Sequence, residues 1–81
     1  MRLPRDVSGQ ELARRLEALG YVVTRTTGSH QRLTTSVGGE HHVTVPLHSP
    51  LRLGTLAAVL SDVSAHFSLS REEILERLWG K

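Results

Sequence analysis

The first periodic pattern of apolar residues predicts an amphipathic helix near the amino terminus. Leucines recur with the spacing of a single helical face, at Leu12, Leu16 and Leu19. Ser8 and Glu11 have the spacing of a capping box, in which Ser8 caps the first turn and Glu11 reaches back to it. Gly20 is placed to end the helix, because glycine readily adopts the left-handed conformation that follows a last turn. We therefore predict a helix over residues 8–19.

Two further helices are predicted in the carboxyl-terminal half. The apolar face of the first consists of Leu56, Val59, Leu60 and Val63. The second begins at another capping box, Ser70 with Glu73, and its apolar residues are Ile74, Leu75, Leu78 and Trp79. The segment 46–54 contains two prolines and no clear period, so it is predicted to be a loop. His66 is expected to lie between the last two helices in a structural role.

The stretch between the first two helices is rich in β-branched residues and predicts three short antiparallel strands. We expect them over residues 21–27, 30–36 and 41–45, with turns at Gly28-Ser29 and Gly38-Gly39. Pro46 ends the third strand because proline cannot donate to the ladder. The predicted fold class is therefore α+β, with the order α-β-β-β-α. Helices cover one face of a three-stranded antiparallel sheet, and a short carboxyl-terminal helix follows.

Alternation along the strands separates side chains that face the helices from those on the other side, which we call the open face. Leu33 is the only large aliphatic residue of the second strand, so it should face the helices, together with Gln31 and Thr35. Val43 and Val45 should do the same. The residues expected on the open face are His30, Arg32, Thr34, His42 and Thr44. This face is polar and partly basic.

Composition narrows the classes of function. The 81 residues suit one domain, 1–81, and there is no cysteine for a disulfide or a thiolate metal site. One Phe, one Trp and one Tyr leave an aliphatic core with little room for a buried ligand pocket, so no small-molecule cofactor is expected. The amino terminus is polar and no apolar run approaches membrane-spanning length, which predicts a cytoplasmic protein without a membrane partner.

The cationic side chains are almost all arginines, and they concentrate before residue 53. Residues 1–52 carry seven arginines against four acidic residues, whereas residues 53–81 carry one more acidic residue than basic ones. The planar guanidinium of arginine suits bidentate contacts to phosphate. A solvated surface is the commoner cause of such a mild asymmetry, so the asymmetry favours a polyanionic partner only slightly.

Five stretches occur in a recognisable order: LPRDVSGQEL, LEALGYVV, GSHQRL, VTVPLHSPLRLGTLAAVL and SLSREEILERL. In this order the chain resembles the HicA (YcfA-like) family of bacterial toxin ribonucleases over essentially its whole length. The resemblance implies a fold like that of a double-stranded-RNA-binding domain. It also implies translation-independent cleavage of messenger RNA, with a HicB-type antitoxin as the restraining partner.

The resemblance identifies His30 as the catalytic residue. The functional histidine of the family follows a Gly-Ser step at the opening of the second strand, as His30 follows Gly28 and Ser29 here. Imidazole, with an unperturbed pKa near 6.5, can act at neutral pH as the base for a 2′-hydroxyl or the acid for a departing 5′-oxygen. On the residues alone, His30 would be an ordinary surface histidine. With the resemblance, we predict that it is catalytic.

The neighbours of His30 are candidates for binding RNA, and each has a simpler alternative. Gly28 would give a positive-φ position with clearance for substrate, or only turn the chain. Ser29 would hydrogen-bond a phosphate, or only satisfy the hydrogen bonding of the turn. Arg32, one pleat from His30, would hold the scissile phosphate, or be a solvated cation. Arg25 matches a position that the family often fills with a basic residue, and it would contact phosphate or pair with an acid.

The remaining histidines have weaker signals. His42 on the open face is a candidate second acid–base group and RNA contact. His41 and His42 point to opposite faces, so they are poorly arranged to chelate one ion, and no metal site is expected. His48 matches a histidine that the family often has after its Val-Pro step, and it is assigned a structural role in the loop.

Two other classes of function remain open. A non-catalytic RNA-binding module of the same fold would not need His30, although typical double-stranded-RNA readers have lysine-rich helix starts and the second helix here begins LGTLAAV. A protein-interaction module would dock a partner on the open face. A cleavage assay separates the ribonuclease from these two alternatives, because only the ribonuclease should cleave RNA and lose that activity when His30 is changed.

Overall fold

The computed structural model describes residues 2–80. The helices are α1 (Gly9–Leu16), α2 (Leu53–Phe67) and α3 (Arg71–Trp79), and the strands are β1 (Val22–Thr27), β2 (His30–Thr35) and β3 (His41–Pro46). A 3-10 turn, Glu17–Leu19, continues α1, so helical structure fills the predicted region. The order of elements and the strand bounds, within one residue, confirm the predicted α+β arrangement. Within the described part of the chain, no helix has both the length and the apolarity needed to cross a membrane.

Side-chain caps explain where α1 and α3 begin. The Ser8 hydroxyl accepts a hydrogen bond from the backbone N–H of Glu11 at 2.9 Å. The Glu11 carboxylate does not reach back as predicted, because it accepts from the Arg15 guanidinium at 3.0 Å instead. At α3 the capping box is complete, with Ser70 and Glu73 each accepting from the backbone of the other. The capping prediction is thus confirmed at α3 and only half correct at α1.

Helix α2 is longer than its apolar pattern predicts. It starts at Leu53, inside the segment predicted to be a loop, and its N-cap residue Arg52 makes no side-chain capping bond. Its last turn contains His66, so the prediction that His66 lies between two helices is wrong. The helix ends at Phe67, and the next residue, Ser68, has a left-handed backbone with φ of 54°. Neither end carries the usual sequence signal, a capping oxygen at the start or a glycine at the end.

The sheet is antiparallel in the order β1-β2-β3, with β1 and β3 at its edges. The predicted alternation is confirmed in β2 and β3: Leu33, Val43 and Val45 are buried toward the helices, whereas Arg32 and Thr44 are exposed. Two polar residues share the buried face, and both are satisfied. The Gln31 amide donates to the Gly9 carbonyl and the Thr35 hydroxyl to the Leu19 carbonyl, each at 2.9 Å.

All three helices contribute aliphatic side chains to one core against the sheet. The fully buried large side chains from the helices are Leu12, Leu16, Leu56, Leu60, Val63, Ile74 and Leu75. Tyr21, just before β1, is the one aromatic residue among them. In contrast, every residue of β1 is exposed, because the helices cover the inner face of β2 and β3 and leave this edge strand bare. The helices thus leave the open face and β1 accessible.

Candidate active site on the open face of the sheet

The hairpin between β1 and β2 presents His30 at the edge of an open turn. Thr27 pairs with His30, so Gly28 and Ser29 form a two-residue connection. Gly28 has φ of 56°, which confirms the predicted positive-φ turn position. A Cβ built on Gly28 would meet no atom within 4 Å, so nothing crowds the turn. The exposed His30 side chain, on the open face, is therefore approachable from the side of the turn.

Two arginines lie on the open face beside His30. Arg32 is two residues further along β2, which is about 7 Å in a strand, and it pairs across the sheet with Arg25. A β-bulge between Val23 and Arg25 makes this pairing, and it puts Arg25 on the same face as Arg32. Both arginines are exposed, and neither makes an ion pair within residues 2–80. The structure thus brings together His30, Arg32 and Arg25, with Gly28 and Ser29 at the adjoining turn.

The segment after β3 closes the other side of the site. Pro46 pairs with His30, and the Leu47 N–H donates to the Ser29 carbonyl at 2.6 Å. The next residue, His48, accepts from the Gly9 N–H at 2.9 Å through its carbonyl. The beginning of α1, the end of β3 and the β1–β2 turn therefore meet beside His30.

His42 lies on the same face but away from His30. It pairs with Thr34, four residues along β2 from His30, which corresponds to about 13 Å in a strand. Its ring nitrogens bond the Thr34 hydroxyl and the Glu40 carboxylate, each at 2.7 Å. One phosphate cannot easily contact both histidines at that separation. The structure therefore does not bring His42 to His30, and a role in binding RNA stays a prediction.

A histidine cluster on the helix side of the sheet was not predicted from the sequence. His41 bonds the Tyr21 hydroxyl through Nδ1 at 2.6 Å and Asp62 through Nε2 at 3.2 Å. Its ring stacks on that of His66 with 4.4 Å between centroids, and His66 Nε2 donates to the Val37 carbonyl. Burial, and secondarily the negative charge of Asp62, raise the pKa of Tyr21 to about 12. These contacts join residues far apart in sequence, so no local pattern could reveal them.

Carboxylates are scarce around His30. Strands β1 and β2 contain no acidic residue, and Glu40, before β3, is held by His42. In the part of the chain that the structure describes, no group of three or more histidine, cysteine or acidic side chains is arranged to hold a metal ion. The surroundings of His30 are instead cationic, through Arg32 and Arg25. Such an arrangement attracts a phosphate and offers it an imidazole.

Comparison with known proteins identifies a family. The family model described as HicA toxin of bacterial toxin-antitoxin matches residues 9–64. The matched region runs from the start of α1 through most of α2 and includes the whole sheet, the turn at Gly28 and the loop around His48. The comparisons with curated proteins and with solved structures each found no match.

Proposed function

The chain belongs to the HicA family of toxins from bacterial toxin–antitoxin systems, and on this basis we propose that it is an endoribonuclease of the cytoplasm that cuts messenger RNA. His30 is the catalytic residue. The observation that carries the proposal is the exposed His30 imidazole beside an open turn, on a face where Arg32 and Arg25 make no ion pair with any of residues 2–80. A HicB-type antitoxin neutralises the activity.

The chemistry follows from what an imidazole can do next to a bound phosphate. Arg32 binds the scissile phosphate, with Arg25 as a second cation on the same face. The His30 imidazole accepts the proton of the 2′-hydroxyl, whose oxygen attacks the adjacent phosphorus and displaces the 5′-oxygen. The products are a 2′,3′-cyclic phosphate and a 5′-hydroxyl. An RNA with a single 2′-deoxy substitution at the cut site lacks this nucleophile, so we expect it to resist cleavage.

We propose that the reaction needs no divalent metal. A two-metal site requires carboxylates grouped around the phosphate, and β1 and β2 supply none. Cleavage should therefore persist in chelator and leave no 5′-phosphate ends. Activity that chelator abolishes and Mg²⁺ or Mn²⁺ restores would contradict this part of the proposal.

The test is cleavage of a defined RNA by purified wild-type and His30→Ala protein. His30 is exposed, so the alanine leaves no cavity and should cost under about 0.5 kcal/mol of stability. We expect the variant to keep its fold, by circular dichroism and urea unfolding, and to lose both RNA cleavage and toxicity. Arg77→Gln, which removes a charge from the exposed side of α3, is the matched surface control and should cut normally.

Three outcomes separate the classes of function. Normal cleavage by folded His30→Ala protein removes His30 from the catalytic role. RNA binding without cleavage by the wild-type protein would indicate a non-catalytic RNA-binding module. If the wild-type protein neither binds nor cleaves RNA, and instead binds a protein on its open face, it would be an interaction module.

A further inference from the structure

In the described part of the chain, residues 2–80, two histidine rings are left free by the fold, and they lie at the same end of the sheet. His41, His42 and His66 each use ring nitrogens in hydrogen bonds to other parts of the protein. Within residues 2–80, the rings of His30 and His48 make no hydrogen bond or ion pair, and both residues are exposed. An acid or base that acts on substrate must present a free ring nitrogen. His48 therefore shares with His30 a ring with both nitrogens free, whereas His41 and His42 use both of theirs and His66 uses Nε2.

The backbone holds His48 close to His30. Cross-strand partners in an antiparallel sheet have Cα atoms about 5 Å apart, and His30 pairs with Pro46. Two more residues add at most about 7 Å, so the Cα atoms of His30 and His48 are within about 12 Å of each other. The hydrogen bond from Leu47 to Ser29 keeps this loop against the turn that precedes His30. Two imidazoles extending from these positions can reach opposite sides of one phosphate.

The frame around His48 fixes its backbone while leaving its side chain free. The His48 carbonyl accepts from Gly9, and Gly9 is packed so closely on Pro46 that a Cβ there would overlap the Pro46 carbonyl. The Gln31 amide, buried in β2, donates to the carbonyl of the same glycine. His48 also lines an open groove of about 410 Å³ with Ser8, Gln10, Leu47 and Ser49. This neutral groove next to His48 is large enough for a nucleoside.

From the free ring, the proximity and the groove, we infer that His48 is a second catalytic residue, the general acid that protonates the leaving 5′-oxygen. The inference rests on the proposed ribonuclease function. His30 takes the proton of the 2′-hydroxyl as the bond between the 2′-oxygen and phosphorus forms. The bond between phosphorus and the 5′-oxygen breaks, and the His48 imidazolium gives its proton to that oxygen. His30 ends protonated and His48 neutral, and exchange of one proton each with water restores both.

A sulfur-substituted RNA tests His48 specifically. In the probe, sulfur replaces the bridging 5′-oxygen at the mapped cut site, and because a thiolate leaves without protonation, the general acid becomes dispensable. We expect His48→Ala to slow cleavage of ordinary RNA by roughly 100-fold to 10,000-fold and to cut the sulfur-substituted RNA nearly as fast as the wild type. His30→Ala should fail on both substrates. The control is His66→Gln. It removes an imidazole from α2 that is hydrogen-bonded to the Val37 carbonyl, and it should leave both cleavage rates unchanged.

The pH profile gives a second readout. Cleavage by the wild-type protein should rise with pH as the base loses its proton and fall at higher pH as the acid does. His48→Ala should lose the fall at high pH and keep the rise. Two results with folded His48→Ala protein would overturn the assignment of His48 and leave that of His30 intact. The first is cleavage of ordinary RNA at the wild-type rate, and the second is an equal loss of cleavage rate on both substrates. A wild-type protein that cuts neither RNA would overturn the proposed function and this inference together.

Discussion

Arg25 and Arg32 face each other across the first two strands, an arrangement that costs stability unless an anion lies between them. Like charges directly opposite each other in a sheet are destabilising, by up to about 1 kcal/mol, and neither arginine has an ion-pair partner within residues 2–80. The β-bulge that brings Arg25 opposite Arg32 therefore opposes folding slightly. A bound phosphate would remove this repulsion.

Arg32→Gln should consequently have opposite effects on stability and on activity. We expect urea unfolding to show unchanged or slightly increased stability, because the repulsion with Arg25 is gone. RNA cleavage should fall, and the dependence of the logarithm of RNA affinity on the logarithm of salt concentration should weaken by about 0.7 for one lost phosphate contact. Arg71→Gln, which removes the same charge from the start of α3, is the control and should change neither. Equal losses from both variants would mean that only net charge matters.

Tyr21 predicts a specific loss of stability in alkali. Its pKa is raised to about 12 from 10.0, mainly by burial and then by Asp62. Between these pH values the unfolded chain releases the phenolic proton while the folded protein keeps it, so stability falls as pH rises through this range. Because Tyr21 is the only tyrosine, tyrosinate absorbance follows this one group directly.

The comparison is urea unfolding at about pH 9 and about pH 11. Tyr21→Phe should lower stability at the lower pH by roughly 1 kcal/mol, because the hydrogen bond to His41 is lost. Its stability should then depend less on pH than that of the wild type. An equal alkaline loss in both proteins would show that another group is responsible.

At the scale of the elements, the contact between the start of α1 and the end of β3 determines where the loop around His48 lies. Gly9→Ala would push a methyl group into the Pro46 carbonyl, so α1 or β3 must move. We expect a loss of about 1–3 kcal/mol from this overpacking. Gly54→Ala is the matched control, because Gly54 lies in α2 with no atom within 4 Å of an added Cβ.

Gly54→Ala should be neutral or stabilising by up to about 1 kcal/mol, since alanine is the better helix former. Both changes are read by urea unfolding at neutral pH. If our inference about His48 is correct, folded Gly9→Ala protein should also cut RNA more slowly. Similar stabilities for the two variants would mean that the contact with Pro46 gives way easily.

Local patterns accounted for most elements, and they failed where structure depends on distant contacts. The apolar spacing and the Ser70 cap predicted the helices because both act within one or two turns. Strict alternation from the buried Tyr21 would send Arg25 toward the helices, and only the β-bulge puts it on the open face. A bulge is a property of two paired strands, so the sequence of one strand does not reveal it.

The same distinction holds for the candidate site. Period-two alternation placed His30, Arg32 and His42 on one face, which the exposure pattern confirms for His30 and Arg32. It could not tell that His42 is bound by Thr34 and Glu40. It also could not tell that Leu47, next to His48, is hydrogen-bonded to Ser29. Both facts depend on which groups meet after folding.

At the scale of the whole molecule, the exposed cationic face determines what kind of protein partner can inhibit the toxin. A stable protein interface of standard size buries about 800 Å² on each side, about a sixth of the 4993 Å² accessible here. A partner on the open face would then cover the strands, the β1–β2 turn and the loop after β3 together. To complement the cationic open face, the contacting surface of the partner would be negatively charged. Attraction between opposite charges speeds association at low salt.

We therefore predict that the antitoxin inhibits by covering the face that bears His30 and Arg32. In hydrogen exchange of the complex, protection should increase in residues 22–35 and 41–50 and not along the exposed side of α3. The association rate should fall as salt increases, since screening weakens steering, and it should fall further for Arg32→Gln than for Arg71→Gln. Because dissociation depends mainly on contacts at short range, the dissociation rate should respond less to salt than the association rate does. If the complex protects only the helices and leaves His30 open to solvent while still blocking cleavage, inhibition does not work by occlusion. The antitoxin would then have to act by changing the conformation of the toxin.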